Sequence, residues 1–194
     1  MTDEPKPYYE RHLPHWQPLG KMLFITWRLA GSLPASFWRE YAEKSAGKRF
    51  VAFDRTLDSG CIGPMWMKNA AVAELVSDAL LYAERQRGLY RMLAFVVMSN
   101  HVHLLIETEQ PLERITKFLK GNTARCANLY LGRTGQTFWQ DESFDHWVRD
   151  SAQSDRIIRY IENNPVTAGL VRDAEDWPWS SAASRNSETH LQKG

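Results

Sequence analysis

The 194-residue chain is poor in cysteine: it has two, Cys61 and Cys126, far apart and in no CxxC spacing. That excludes a disulfide framework and leaves reduced, cytosolic thiols as the expectation. Long apolar runs are also missing, stretches being as short as "LAFVVM" at Leu93 to Met98. The N-terminal "MTDEPKPYYERHLPHWQPLG" is polar and proline-rich without a leader's apolar stretch, so neither a signal peptide nor a membrane span is expected and a cytoplasmic protein is. Charge of one sign is lacking as well. A formal net charge of +1 gives no global field, so any contact with a polyanion has to come from a local patch. What is present is a globular composition, 43% hydrophobic and 24% charged, with eight tryptophans, a surplus that hints at a stacking surface. The length fits one domain.

Residues 1–20 read as an irregular arm, 21–183 as a single domain and 184–194 as a disordered tail. "MLFITWRL", Met22 to Leu29, has the aromatic and β-branched content of a strand. A short helix is expected around Ser36 to Ala46, then a long surface loop through "DRTLDSGCIGP" to Pro64. Asn69 to Arg87 opens on an Asn cap and sets Val72, Val76, Ala79 and Leu80 on one helical stripe. Strands at Tyr90–Met98 and His101–Glu107 join at Ser99-Asn100 as a hairpin. Helices follow at Leu112–Leu131 and at Ser154–Asn164, the latter closed by Pro165. The order β, α, β, β, α points to an α+β fold with a split βαβ antiparallel sheet and helices on one face.

On the second strand of that hairpin, His101, His103 and Leu105 share one face, and Val102, Leu104 and Ile106 share the other, apolar one. Two histidines at i, i+2 can ligate one ion from a rigid platform; they can equally hydrogen-bond beside a sheet surface. A third ligand decides between these readings. In "RIIRYIENNP", Ile157, Ile158 and Ile161 form a packed stripe, with Tyr160 and Asn164 four apart on its flank. Pro165 disfavours helical geometry at Asn164 and frees its amide to reach outward. From this segment alone, a wet tyrosine and a capping asparagine are the favoured reading; the combination with the histidine pair shifts the balance.

Taken together, "YYERHLPHWQP", "LFITWRLAGSLP", "MSNHVHLLIE", "LKGNTARCANLYLGRTGQTFWQDESFDHWVRD", "YIENNPVTAGLV" and "DWPWSSA" resemble the REP-associated tyrosine transposases, relatives of the single-tyrosine HUH transposases of the IS200 type. The resemblance runs from Tyr8 to Ala183. It implies a ferredoxin-like domain of the HUH endonuclease type with His101 and His103 as metal ligands, Tyr160 as nucleophile and Asn164 as third ligand, Asn163 remaining an alternative. It also implies a transposase that cuts single-stranded DNA at REP-type hairpins through a 5′-phosphotyrosine and acts as a monomer at the nucleoid. A donor set of two imidazoles and an amide suits Mg²⁺ or Mn²⁺, Mn²⁺ better.

Between Leu112 and Arg133 stand five Lys/Arg against one Glu. Arg114, Lys117, Lys120 and Arg125 gather on the side away from the apolar stripe Leu112, Ile115, Leu119, Cys126 and Leu129, and can meet phosphates. Tyr130 falls on the stripe and reads as core. Arg149 can hold a phosphate or pair with Asp145. Trp139 and Trp147 read as structural, and Trp177 and Trp179 as a pin for the C-terminal segment. The rival function is a hairpin DNA or RNA binder that does not cut; a zinc hydrolase lacks a carboxylate in HExxH-like spacing near the histidines.

Overall fold

The computed structural model describes residues 8–10, 14–16, 21–60 and 62–184. Within the N-terminal arm, where irregular chain is the expectation, Tyr8–Glu10 (β1) and Pro14–Trp16 (β2) pair antiparallel. Met22–Arg28 (β3) then starts the main sheet, joined by Tyr90–Val97 (β4), His101–Thr108 (β5) and Phe144–Trp147 (β6). The order β4-β5-β3-β6, antiparallel throughout, is that of a ferredoxin-like split βαβ fold.

Alternation along the strands divides the core into two layers. Leu23, Ile25 and Trp27 of β3 and Val102, Leu104 and Ile106 of β5 face one way, and the helices Ala70–Arg85 (α3) and Leu112–Tyr130 (α4) pack there. The α3 stripe Val72, Val76, Ala79 and Leu80 is buried as its spacing predicts, and Asn69 Oδ1 accepts from the Ala71 N–H, capping the helix. The opposite face carries Phe24, Thr26 and Arg28 with His101, His103 and Leu105. It is closed by Ser151–Thr167 (α5) and by two helices that precede α3, Phe37–Glu40 (α1) and Ala46–Asp58 (α2).

The helices thus occupy both faces of the sheet rather than the one face expected, and five further expectations need correction. The helix at Ser36–Ala46 is one turn, α1, and the loop expected through Asp58 is the second half of α2. Phe50, Phe53 and Leu57 recur at helical spacing and bury that half, a periodicity that outweighs the nearby Gly60, Gly63 and Pro64. Helix α5 starts earlier, where Asp150 Oδ1 accepts from Gln153 N–H and Gln153 Oε1 from Arg149 N–H. It also runs through Pro165: Ala168 N–H still reaches Asn164 O, so the missing proline donor interrupts the ladder without ending it. Leu129 and Tyr130 are 70% and 58% exposed, because the last turn of α4 overruns the packed layer and buries Ala127 and Asn128 instead.

Past α5 the chain returns along the free edge of β4. Val97 N–H donates to Trp179 O, Trp177 Nε1–H to Val97 O, and Ser181 Oγ bonds both backbone groups of Phe95. The tryptophan pair is the pin expected from "DWPWSSA". Cys126 is a free thiol, and no helix among the described residues is long and apolar enough to cross a membrane. Cys61 and the tail from 185 onward lie outside the described residues.

Candidate metal and nucleophile site

The strand pairing aims the histidines. His103 stands opposite Thr26 and His101 opposite Arg28, and both rings are fully buried beneath α5 and α2. Their Nε2 atoms face each other at 3.1 Å. Each Nδ1 is held from behind. Asn100 Oδ1 lies 2.7 Å from His101 Nδ1, and its amide orientation is fixed because Nδ2 donates to Leu57 O at 2.9 Å. His101 therefore carries its proton on Nδ1 and turns an Nε2 lone pair inward. Thr26 Oγ1, 2.7 Å from His103 Nδ1, holds the second ring from behind.

Helix α5 supplies Tyr160 and Asn164 from one flank, as the four-residue spacing predicts. Asn164 is 2% exposed and places its amide Nδ2 3.5 Å from His103 Nε2, whereas Asn163 is exposed and donates back to Arg159 O. The alternative at Asn163 therefore lies away from the site. The side chain that sequence reasoning missed is Asp54 of α2. It is 5% exposed, its Oδ1 lies 3.0 Å from His103 Nε2, and its Oδ2 accepts the Tyr160 hydroxyl. Asp58, one turn on, places Oδ1 3.7 Å from His101 Nε2. The signal was the repeat "FDRTLD", in which each acid follows a buried apolar residue at i, i+4 spacing.

The electrostatics follow from this crowding. Burial drives the His101 imidazole down to about 3, with His103 adding to the effect, so the ring is neutral. Burial alone would raise the Asp54 carboxyl, but His103 beside it, helped by His101 and the tyrosine hydroxyl, holds it at about 2. Asp58 goes the other way, pushed up to about 7 by burial and by the Asp54 charge. The Tyr160 phenol is pushed well up by burial and by Asp54.

A divalent cation fits this donor set. Asp54, His101 and His103 offer ligand atoms within 4.8 Å of one another, and all three are buried. Asp54 Oδ1, Asp58 Oδ1 and Asn164 Oδ1 are buried without a hydrogen-bond donor. The inward lone pair of the neutral His101 ring and the oxygens of Asp54 and Asn164 that lack a donor are acceptors crowded together, an arrangement that a cation among them relieves.

The basic residues of α4 are not brought to this site, since α4 packs on the opposite face of the sheet. Arg114, Lys117 and Arg125 are exposed, with Arg114 bonded to Gln110. Lys120 is half-buried, and its Nζ donates to Gln140 O and Asp141 O at 2.6 and 2.7 Å, so it clamps a loop. Arg149 is exposed beside the cap of α5.

Comparison with known proteins now adds to this geometry. The REP-associated tyrosine transposase of Escherichia coli (strain K12) is 24% identical over 111 residues, 56% of this chain and 63% of that relative's length. A solved REP-associated tyrosine transposase bound to a REP hairpin shares the fold with a TM-score of 0.55 at 19% identity, covering 89% of this chain and 81% of the other. The family model for IS200-like transposases matches residues 69–164, a block that takes in α3, the histidine hairpin, α4, β6 and α5 as far as Asn164. Over residues 69–164 the chain is thus similar to the IS200-like transposases, and over 56% of its length to a REP-associated tyrosine transposase.

Proposed function

We propose that the chain is a metal-dependent single-stranded DNA endonuclease and strand transferase that acts at REP-type hairpins. The observation that carries this reading is the convergence of the Tyr160 hydroxyl, two inward-facing imidazoles and Asp54 in one buried cluster. In it, His101, His103 and Asn164 would hold Mg²⁺ or Mn²⁺, with Asp54 as a further oxygen donor. A divalent ion bound there would orient a phosphate oxygen and stabilise the charge that develops on it.

Tyr160 is the nucleophile. Its oxygen forms a bond to phosphorus as the bond from phosphorus to the 3′ oxygen breaks, leaving a 5′-phosphotyrosine and, once the phenolic proton is transferred, a free 3′-hydroxyl. Asp54 Oδ2 holds that proton and sets the direction of the attacking lone pair. Tyr160 and Asn164 lie on the helix that covers the same chain's histidines, which supports a monomer acting with its own tyrosine. The exposed Arg114, Lys117 and Arg125 would hold phosphates of the hairpin on the far face, with Arg149 nearer the site.

The test is a denaturing gel of the protein with Mn²⁺ or Mg²⁺ and labelled hairpins from the repeats beside its own gene. A covalent adduct that disappears in Tyr160→Phe and His103→Ala is expected. Tight binding of every repeat strand without an adduct would replace this reading with the non-cutting hairpin binder.

A further inference from the structure

A cleft of about 410 Å³ opens beside the site on the same face of the sheet, between the end of β3, the segment through α1, α2 and residues 140–144. Arg28 lies in it. This residue is two positions beyond Thr26 and stands opposite His101, so it follows the histidine pair along the face at a spacing of about 7 Å. Although it is only 7% exposed, no carboxylate among the described residues forms an ion pair with it. Its hydrogen bonds leave one nitrogen, Nη1, for Leu29 O and Ser32 Oγ, both at 3.4 Å. Nε and Nη2 have no partner among the described residues. Burial brings the guanidinium down to about 10, with Glu142 opposing, so it stays charged at neutral pH. Neither nitrogen is among the fully enclosed unpartnered atoms, so both open on the cleft, where an acceptor can reach them.

The rest of the cleft describes that acceptor. Half-buried Trp38 and the buried Phe53 and Phe144 wall the cleft with apolar surface, which suits a flat aromatic guest. Asp141, whose carbonyl Lys120 holds, and Glu142 beside it stand at the rim and disfavour a phosphate while welcoming a donor edge. Guanine presents both chemistries: O6 and N7 accept from a guanidinium, and N1–H and the exocyclic amine donate to a carboxylate. Arg28, Trp38 and Phe53 also precede the block matched by the family model.

We propose that this cleft receives one unpaired guanine of the bound strand, with Arg28 donating to O6 and N7 and Glu142 accepting from the Watson–Crick edge. The proposal rests on the single-strand reading above and adds base choice to it. A base seated there lies within a nucleotide or two of a phosphate at the histidine pair, so the cleft selects where the strand is cut.

Fluorescence anisotropy with four labelled octathymidylates, the fourth base kept as T or replaced by G, A or C, tests it. The guanine strand should bind the native protein about tenfold more tightly than the others, and the preference should shrink to about twofold in Arg28→Lys and in Glu142→Gln. Glu142 is at the rim, so its variant keeps the test valid if the buried arginine proves necessary for folding. Equal affinity for all four strands, preference for another base, or a guanine preference that survives Glu142→Gln overturns the assignment. The adduct gel separates the two ideas: an adduct without base preference sinks the cleft alone, whereas guanine preference without an adduct sinks strand cleavage and leaves the cleft standing.

Discussion

Replacing Thr26 by valine keeps the shape of a fully buried side chain and removes the hydroxyl 2.7 Å from His103 Nδ1. Two consequences follow with different readouts. His103 Nδ1 is left buried without a partner, which costs about 1–3 kcal/mol of stability. For a domain of this size that lowers Tm by about 2–12 °C. The imidazole also loses the contact that fixes its tautomer and ring plane, and loss of such a supporting bond weakens metal binding by about 10–100-fold. Calorimetric titration with Mn²⁺ below the melting range reads the second effect separately from the first. Thr26→Ser, which keeps the oxygen, should recover most of the affinity. If Thr26→Val lowers Tm but binds Mn²⁺ as the native protein does, Thr26 is a packing partner only and His103 is oriented by something else.

Three other outcomes are expected. The unfolded chain takes up a proton on His101 near 6.5 and the folded chain near 3, so this group destabilises the fold as pH falls between them; Asp58, at about 7 folded and 3.8 unfolded, stabilises as pH falls over almost the same window. Urea denaturation of the metal-free protein should therefore be nearly flat from pH 6.5 to 4 and fall with acid in Asp58→Asn; identical profiles for the two proteins would refute the opposition. Trp139→Phe keeps a buried ring but removes the donor of the 2.8 Å bond to Thr123 Oγ1, with an expected loss of about 1–2 kcal/mol in chemical denaturation. Lys117→Ala should reduce the salt dependence of hairpin binding by about one phosphate contact and leave Tm alone, whereas Lys120→Ala should lower Tm by releasing residues 140–141; the reverse pattern would exchange their roles.

The sheet and its helices were legible because their periods are unmixed. Val102, Leu104 and Ile106 alternate with the histidines, and the α3 stripe repeats every three to four residues. Tyr160 and Asn164 were legible for the same reason, a helical spacing of four. Asp54 was not, because two aspartates among arginine, threonine and serine, followed by three turn-forming residues, have the local composition of a loop. Only the apolar Phe50, Phe53 and Leu57 make them helical, and only packing of α2 against the sheet turns them inward. Thr26, Asn100 and Arg28 were hidden differently: their roles depend on cross-strand register, which a single strand does not specify. Tyr130 failed in the opposite sense, since its angle on α4 was right and the core ended before it.

The C-terminal strap along β4 bears on how the protein behaves in concentrated solution. An eight-residue outer strand ending in Phe95, Val96 and Val97 is, when bare, a template on which a second chain can continue the sheet. Trp179 and Ser181 occupy those hydrogen-bonding positions first, and the indole of Trp177 takes Val97 O besides. Shortening the chain before Trp177 would thus leave the histidine cluster intact and create an adhesive border, so the shortened protein would be lost to fibrils or precipitate before its chemistry failed.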